Sequence, residues 1–222
     1  MYDFHALLWL LFSCILVRTM YFITDILLYP SSKYIELSQV RRKYIQKNLI
    51  KSAYLAVLTL VAMFTIIIPI WRDNIWNNWT IHRLAALYVS NDIVGLVCVD
   101  NLPQTTRIHH MTTTVLVFLS FGLDFQTSEI GQAMLVYTMA SASAYIVNFH
   151  LAVRWLSPRG SLKKLRAFAG VIYVVCCLFS WSWHIWWLYT SELWSIYHFA
   201  YISLLFLIVR DDIILMKWLC VP

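Results

Sequence analysis

His109 and His110 stand side by side at the head of one apolar run, and Asp92 lies inside the run before it. Imidazole takes up and returns a proton near neutral pH, and it can act as a nucleophile that carries an acyl group. Adjacent residues on a helix diverge by about 100°. The two rings therefore cannot address the same atom, and a division of labour is expected: one meets a substrate, the other is held by supporting groups. Thr112, Thr113 and Thr114 follow at spacings that bring them against these rings. A carboxylate at Asp92 costs about 2.5–3.5 kcal/mol to place in hydrocarbon, so it needs a partner or a wet cavity. Asp100 lies nearer the histidines in sequence, and Asn148 and His184 are candidate partners for Asp92 on other helices. The opposing interpretation is a histidine pair at a membrane interface with no chemistry to perform.

Other polar residues recur at helical spacing in later apolar runs. Tyr137, Ser141, Ala144 and Asn148 fall at i, i+4, i+7 and i+11, an inward stripe, although the surrounding Ala and Ser also suit close helix packing. Arg154, four residues after His150, is placed to meet an anionic headgroup or phosphate, or to snorkel. Tyr173, Cys177, Ser180 and His184 share a face, with His184 either lining a cavity or bonding across a helix contact. Arg210, Asp211 and Asp212 form a compact charged cluster to which no chemistry is assigned.

The elements that must position these groups are apolar helices. Of 222 residues, 61% are hydrophobic and 13% charged, against about 45–50% and about 25% in soluble domains. A water-soluble core cannot hide that surface, so the chain is read as an all-α, polytopic membrane bundle. Seven windows approach the roughly 20 apolar residues a span needs: 6–29, 52–71, 84–102, 109–123, 131–156, 167–190 and 197–216. The first is too long, and too polar at Arg18 and Asp25, for a cleaved signal peptide. Connections 33–51, 103–108 and 154–166 hold twelve Lys and Arg, whereas 72–83, 124–130 and 191–196 hold two. That bias places the N-terminus on the lumenal side and the C-terminus in the cytoplasm. It also explains the net charge of +6 without nucleic acid. Trp71, Trp76 and Trp79, with Trp181, Trp183, Trp186, Trp187 and Trp194, mark the lumenal belt. Asn78-Trp79-Thr80 on that side is a glycosylation sequon. The five Cys lack metal-ligand spacing, so neither a zinc site nor a disulfide framework is expected.

The run Tyr88…Asp92…Leu102-Pro103…His109-His110…Thr113 resembles the signature of TLC-domain membrane proteins, and Ser143…Asn148…Arg154-Trp155 resembles a loosened form of that family's next block. The basic stretch 38–54 is similar in character. The resemblance covers about 36–216. It implies residues 1–35 as an N-terminal transmembrane helix and junction, 36–216 as a six-helix bundle around a central cavity in the endoplasmic reticulum, and 217–222 as a cytoplasmic tail. The family's ceramide synthases move a fatty acyl group from acyl-coenzyme A to a sphingoid amine. By resemblance His109 and His110 are then the catalytic pair and Asp92 an assisting acid. Two departures stand out. The His-Asp motif that follows the pair in ceramide synthases is missing, since 121–131 offers only Asp124 and Glu129, and a glutamate of the non-synthase relatives falls at Ser141.

The functional expectation is an acyl-coenzyme A-dependent lipid N-acyltransferase with no bound cofactor and no metal. Acyl-coenzyme A is the co-substrate, its phosphates held by Arg107, Arg154 and the basic residues 159–166. Asn148, Tyr137, His184 and Thr113 complete the substrate-binding set. The alternative is a non-catalytic protein of the same family that binds lipid, serves lipid homeostasis or escorts cargo. Fatty-acid elongation is disfavoured because Thr106 stands where His-x-x-His-His needs its first histidine. A retinal Schiff base needs a lysine inside a span, and the seventh window has none before Lys217.

Overall fold

The computed structural model describes residues 2–158, 160–191 and 194–220, all of whose regular elements are helical. Arg159, one of the basic residues expected to meet phosphate, lies outside the described residues. Helix α1 (Phe4–Leu28) begins where the Asp3 carboxylate accepts the Ala6 amide at 3.1 Å. After a short α2 (Ser32–Ile35), α3 (Gln39–Ala62) runs through a π-helical turn, Met63–Ile67, into α4 (Ile68–Asp73). Pro69 cannot donate to the helical ladder and sits at the start of α4. Asn74, in the left-handed region at φ 51°, ends that helix. Asn77 caps α5 (Asn78–Cys98) by accepting the Thr80 amide, and Ser128 caps α7 (Glu129–Ser143) by accepting the Gly131 amide. Between them lies α6 (Gln104–Ser120). Helices α8 (Tyr145–Val153), α9 (Lys163–Thr190) and α10 (Ile196–Cys220) complete the chain.

These helices close on one another. Helix α3 packs on α5, α5 on α6, α6 on α10, α10 on α9, α9 on α7 and α8, and those two return to α3. Helix α1 stands outside this ring against α5 and α3. The outer surface carries exposed Phe, Leu, Ile and Trp along α1, α3 and α9, a pattern that suits lipid and not water. Five helical stretches are long and apolar enough to cross a membrane: Phe4–Leu28, Gln39–Asp73, Asn78–Cys98, Glu129–Val153 and Lys163–Thr190. The other two of the seven expected spans do not meet that standard on their own. Helix α6 has 17 residues, and α10 carries Arg210, Asp211 and Asp212.

Three boundaries differ from the sequence expectation. The stretch 33–51 is not a loop: α3 starts at Gln39, and Lys47 and Lys51 are buried within it. Five of the twelve basic residues counted in the connections thus lie on α3, and two of those, Lys47 and Lys51, are buried. The run 131–156 is interrupted at Ala144, whose ψ of 21° leaves helical geometry and separates α7 from α8. Residues 217–220, expected in a tail, continue α10.

Candidate functional site

Asp92 is 0% exposed, in the middle of α5. Its Oδ1 accepts from Lys51 Nζ at 2.5 Å, and the Thr113 hydroxyl on α6 donates to its Oδ2 at 3.4 Å. His110 Nδ1 lies 3.1 Å from the same Oδ1, within ion-pair distance though not aligned as a hydrogen bond. A buried carboxylate persists only when paired, and here α3 supplies the cation while α6 supplies the ring and hydroxyl. On the far side of the ring, His110 Nε2 is 2.7 Å from Lys47 Nζ. An ammonium has donors only, so a charged Lys47 makes Nε2 the acceptor and leaves the ring proton on Nδ1, facing Asp92. Lys47, His110, Asp92 and Lys51 thus form one continuous polar chain across three helices.

His109 is turned elsewhere, as adjacent helical positions require. Its ring stands 84° from that of His110, with centroids 5.5 Å apart. His109 Nδ1 lies 3.5 Å from Asp211 Oδ2 on α10. Among the described residues its Nε2 makes no hydrogen bond and no ion pair. The Nδ1 atoms of both rings also lack a hydrogen bond, but each lies at ion-pair distance from a carboxylate, and His110 Nε2 meets Lys47. Beside it, Asp212 accepts from Tyr173 at 2.8 Å and from Tyr137 at 3.5 Å. The acids near the histidines therefore come from α5, as Asp92, and from α10, as Asp211 and Asp212. Asp124 and Glu129 are far from them: Asp124 accepts from Asn78, and Glu129 accepts from Ser191.

These groups surround a cavity of about 310 Å³, lined by Lys47, Lys51, His109, His110, Ser141, Asn148, Arg154, Asp211 and Asp212 among others. Arg154 stands among aromatic faces, 4.7 Å from the Trp218 ring centre and 5.7 Å from that of Tyr44. A second cavity of about 70 Å³ is almost entirely apolar, with Leu58, Ala62, Ile66, Leu116, Met134 and Leu205 in its wall. The two abut. Tyr88 lines the apolar cavity, Ser141 lines the polar one, and their hydroxyls meet at 2.9 Å.

Of the residues expected to bind substrate, Asn148 and Arg154 line the polar cavity, while Tyr137 and Thr113 line the apolar one. Arg107 is exposed on α6 and lines neither. His184 is a packing residue: its Nδ1 meets the Ser180 carbonyl at 2.7 Å and its Nε2 the Tyr201 hydroxyl at 2.9 Å. Asn78, in the sequon, uses its side chain to donate to Asp124 at 2.7 Å and to accept the Phe125 amide at 2.9 Å. A glycan on Asn78 would disturb that turn. Sequence reasoning did not select Lys47, Lys51, Asp211 or Asp212. Lys47, Lys51, Leu55 and Leu58 recur at helical spacing, a signal that would have drawn the two lysines into the helix. Among the described residues no three His, Cys, Asp or Glu side chains converge as a metal-ion set.

No known protein family, curated protein or solved structure matches this chain.

Proposed function

We propose that the chain is a seven-span, TLC-like protein of the endoplasmic reticulum, with its C-terminus in the cytoplasm, that transfers an acyl group from acyl-coenzyme A to the amine of a lipid. The observation that carries this reading is an imidazole nitrogen, His109 Nε2, with neither hydrogen bond nor ion pair among the described residues. It stands beside His110, whose ring is backed by the enclosed Asp92, on the wall of a polar cavity linked to an apolar one by the Tyr88–Ser141 contact. In this scheme His109 Nε2 meets the acyl carbonyl, and His110 Nε2 takes the proton of the attacking amine once Lys47 Nζ gives up its place. Asp92 is a positioning residue that steadies the imidazolium, and Lys51 holds Asp92. Arg154 stands at the α8–α10 side of the cavity, suited to a phosphate of the donor. The apolar cavity is small, so a long acyl tail must slide between helices.

The test is amide formation. Purified protein given palmitoyl-coenzyme A and sphinganine is expected to yield the N-acyl product. His110→Ala is expected to lower the rate by about 10²-fold or more. Equal rates for both proteins would remove the transferase reading. A second reading, a lipid-binding protein without turnover, draws on the engagement of His110 Nε2 by Lys47, which leaves that ring no vacant nitrogen. A diacyl lipid retained through purification, with no amide product, would favour it.

A further inference from the structure

Lys47 departs from the pattern of the other buried charges. Lys51 has Asp92 as its counter-ion, yet among the described residues no carboxylate lies within ion-pair distance of Lys47. Among the described residues its hydrogen-bond partner is His110 Nε2, at 2.7 Å. The side chain is also accommodated by its surroundings. At Gly95 on α5, a Cβ would stand 3.0 Å from Lys47 Cε and 3.3 Å from Cδ, so the bare glycine backbone leaves the channel in which the lysine lies. Lys47 lines the same cavity as His109, whose Nε2 is unengaged. A primary amine thus rests against the ring that the proposed reaction uses as its base, where an attacking amine would have to sit.

We infer that Lys47 is an internal acyl acceptor: given an acyl thioester, the chamber acylates its own lysine. This rests on the acyl-transfer reading above. The step balances without another reagent. His110 Nε2 takes a proton from the Lys47 ammonium, and the freed amine attacks the thioester carbonyl. That first proton is released to solvent. As the amide C–N bond forms, His110 Nε2 takes the second proton from the attacking nitrogen, the C–S bond breaks, and the departing thiolate recovers that proton from His110. The products are an Nε-acyl-lysine and free coenzyme A. Because an amide does not turn over as a thioester or acyl-imidazole does, the modified chain keeps an acyl group inside the cavity and loses one cation there. A lipid amine that reaches the cavity first competes with Lys47 for the same proton acceptor and the same carbonyl.

The experiment uses wild-type full-length protein and palmitoyl-coenzyme A, with and without sphinganine. Intact mass and peptide mapping follow hydroxylamine treatment, which strips thioesters and acyl-imidazoles but leaves amides. The expected result is one hydroxylamine-resistant palmitoyl group, mapped to Lys47 and reduced when sphinganine is present. Lys47→Arg should lose that label. Because the mapping is done on wild-type protein, misfolding of a variant cannot decide the matter. N-acyl-sphinganine formed while Lys47 stays unmodified overturns the inference and leaves the transferase reading standing. Acylated Lys47 with no sphinganine product supports the inference and restricts transfer to the internal acceptor. Absence of any acyl group on protein or amine removes both.

Discussion

Two His–Asp–cation sets share helix α5, one at its start and one farther along it. In one, Asp92 joins His110 and Lys51. In the other, Asp3 joins His82 at 3.2 Å and Arg83 at 3.3 Å. Their compositions are nearly alike, but their surroundings are not. At Asp3 every group closes a structural gap: the carboxylate caps α1, His82 also meets the Leu123 carbonyl at 3.2 Å, and the Asp3 amide bonds the Phe121 carbonyl at 2.9 Å. The set pins the start of α1 to α5 and to the turn after α6, and it lines neither central cavity. Asp92 is itself enclosed, but its partners His110 and Lys51 border 310 Å³ of space, and the neighbouring His109 has an Nε2 with neither hydrogen bond nor ion pair among the described residues. What separates a tether from a candidate site is vacancy next to unsatisfied chemistry, not the list of residue types.

Removing each acid tests this contrast. Asp92→Ala strands the Lys51 ammonium without its buried counter-ion and should cost about 3–5 kcal/mol, read as a fall in thermal midpoint in detergent. Lys51→Met in the same chain should return much of the loss, because the stranded charge goes with it. Equal penalties for Asp92→Ala and Asp3→Ala would erase the distinction between the two sets.

Asp3→Ala should cost about 1 kcal/mol, the usual value of a lost helix cap, and leave amide formation unchanged. Its penalty should also depend on pH. Partial burial pushes the Asp3 carboxyl up, but the His82 hydrogen bond, the Ala6 amide and Arg83 outweigh it and hold the group below its ordinary 3.8. The native form therefore binds this proton more weakly than the unfolded chain. Its contribution to stability is complete above the unfolded value and is lost as pH falls through the lowered native one. Thermal midpoints of wild type and Asp3→Ala should stand apart at neutral pH and draw together as pH falls below the ordinary 3.8 through the lowered native value.

The smallest effect on stability is expected at Gly95. Alanine there gains up to about 1 kcal/mol in helix propensity, and the crowding falls on the flexible end of Lys47, not on backbone. The net change should stay below about 1 kcal/mol, while the displaced lysine loses its place at His110 and its acylation slows several-fold. Unaltered Lys47 labelling in Gly95→Ala would show that the channel does not position the amine.

The sequence made the helical class legible because nothing else satisfies backbone polar groups in hydrocarbon, and the apolar runs are long. Asp92 and the histidine pair stood out because such groups are costly there. Their partners were harder to see. Lys47 and Lys51 precede the apolar window of α3 and read as loop charges until the helix is known to begin at Gln39. Asp211 and Asp212 lie about a hundred residues beyond the rings they approach, and no local spacing connects them. His184 had two readings, cavity lining or a bond across a helix contact, and Ser180 and Tyr201, which meet its two nitrogens, fit the second. Arg107 shares a helix with the histidines but lies on its exposed side.

One line of α3 has a consequence of its own. Lys47, Lys51 and Leu55 border the polar cavity, and Leu58, Ala62 and Ile66, farther along, border the apolar one. Helices at a water boundary usually contrast side to side; this one contrasts top to bottom along a single edge. Such a gradient acts as a compass. A guest with a charged head and an oily tail meets favourable neighbours along its whole length in one direction only, and entering tail-first from the wrong end would set methylenes against ammonium groups.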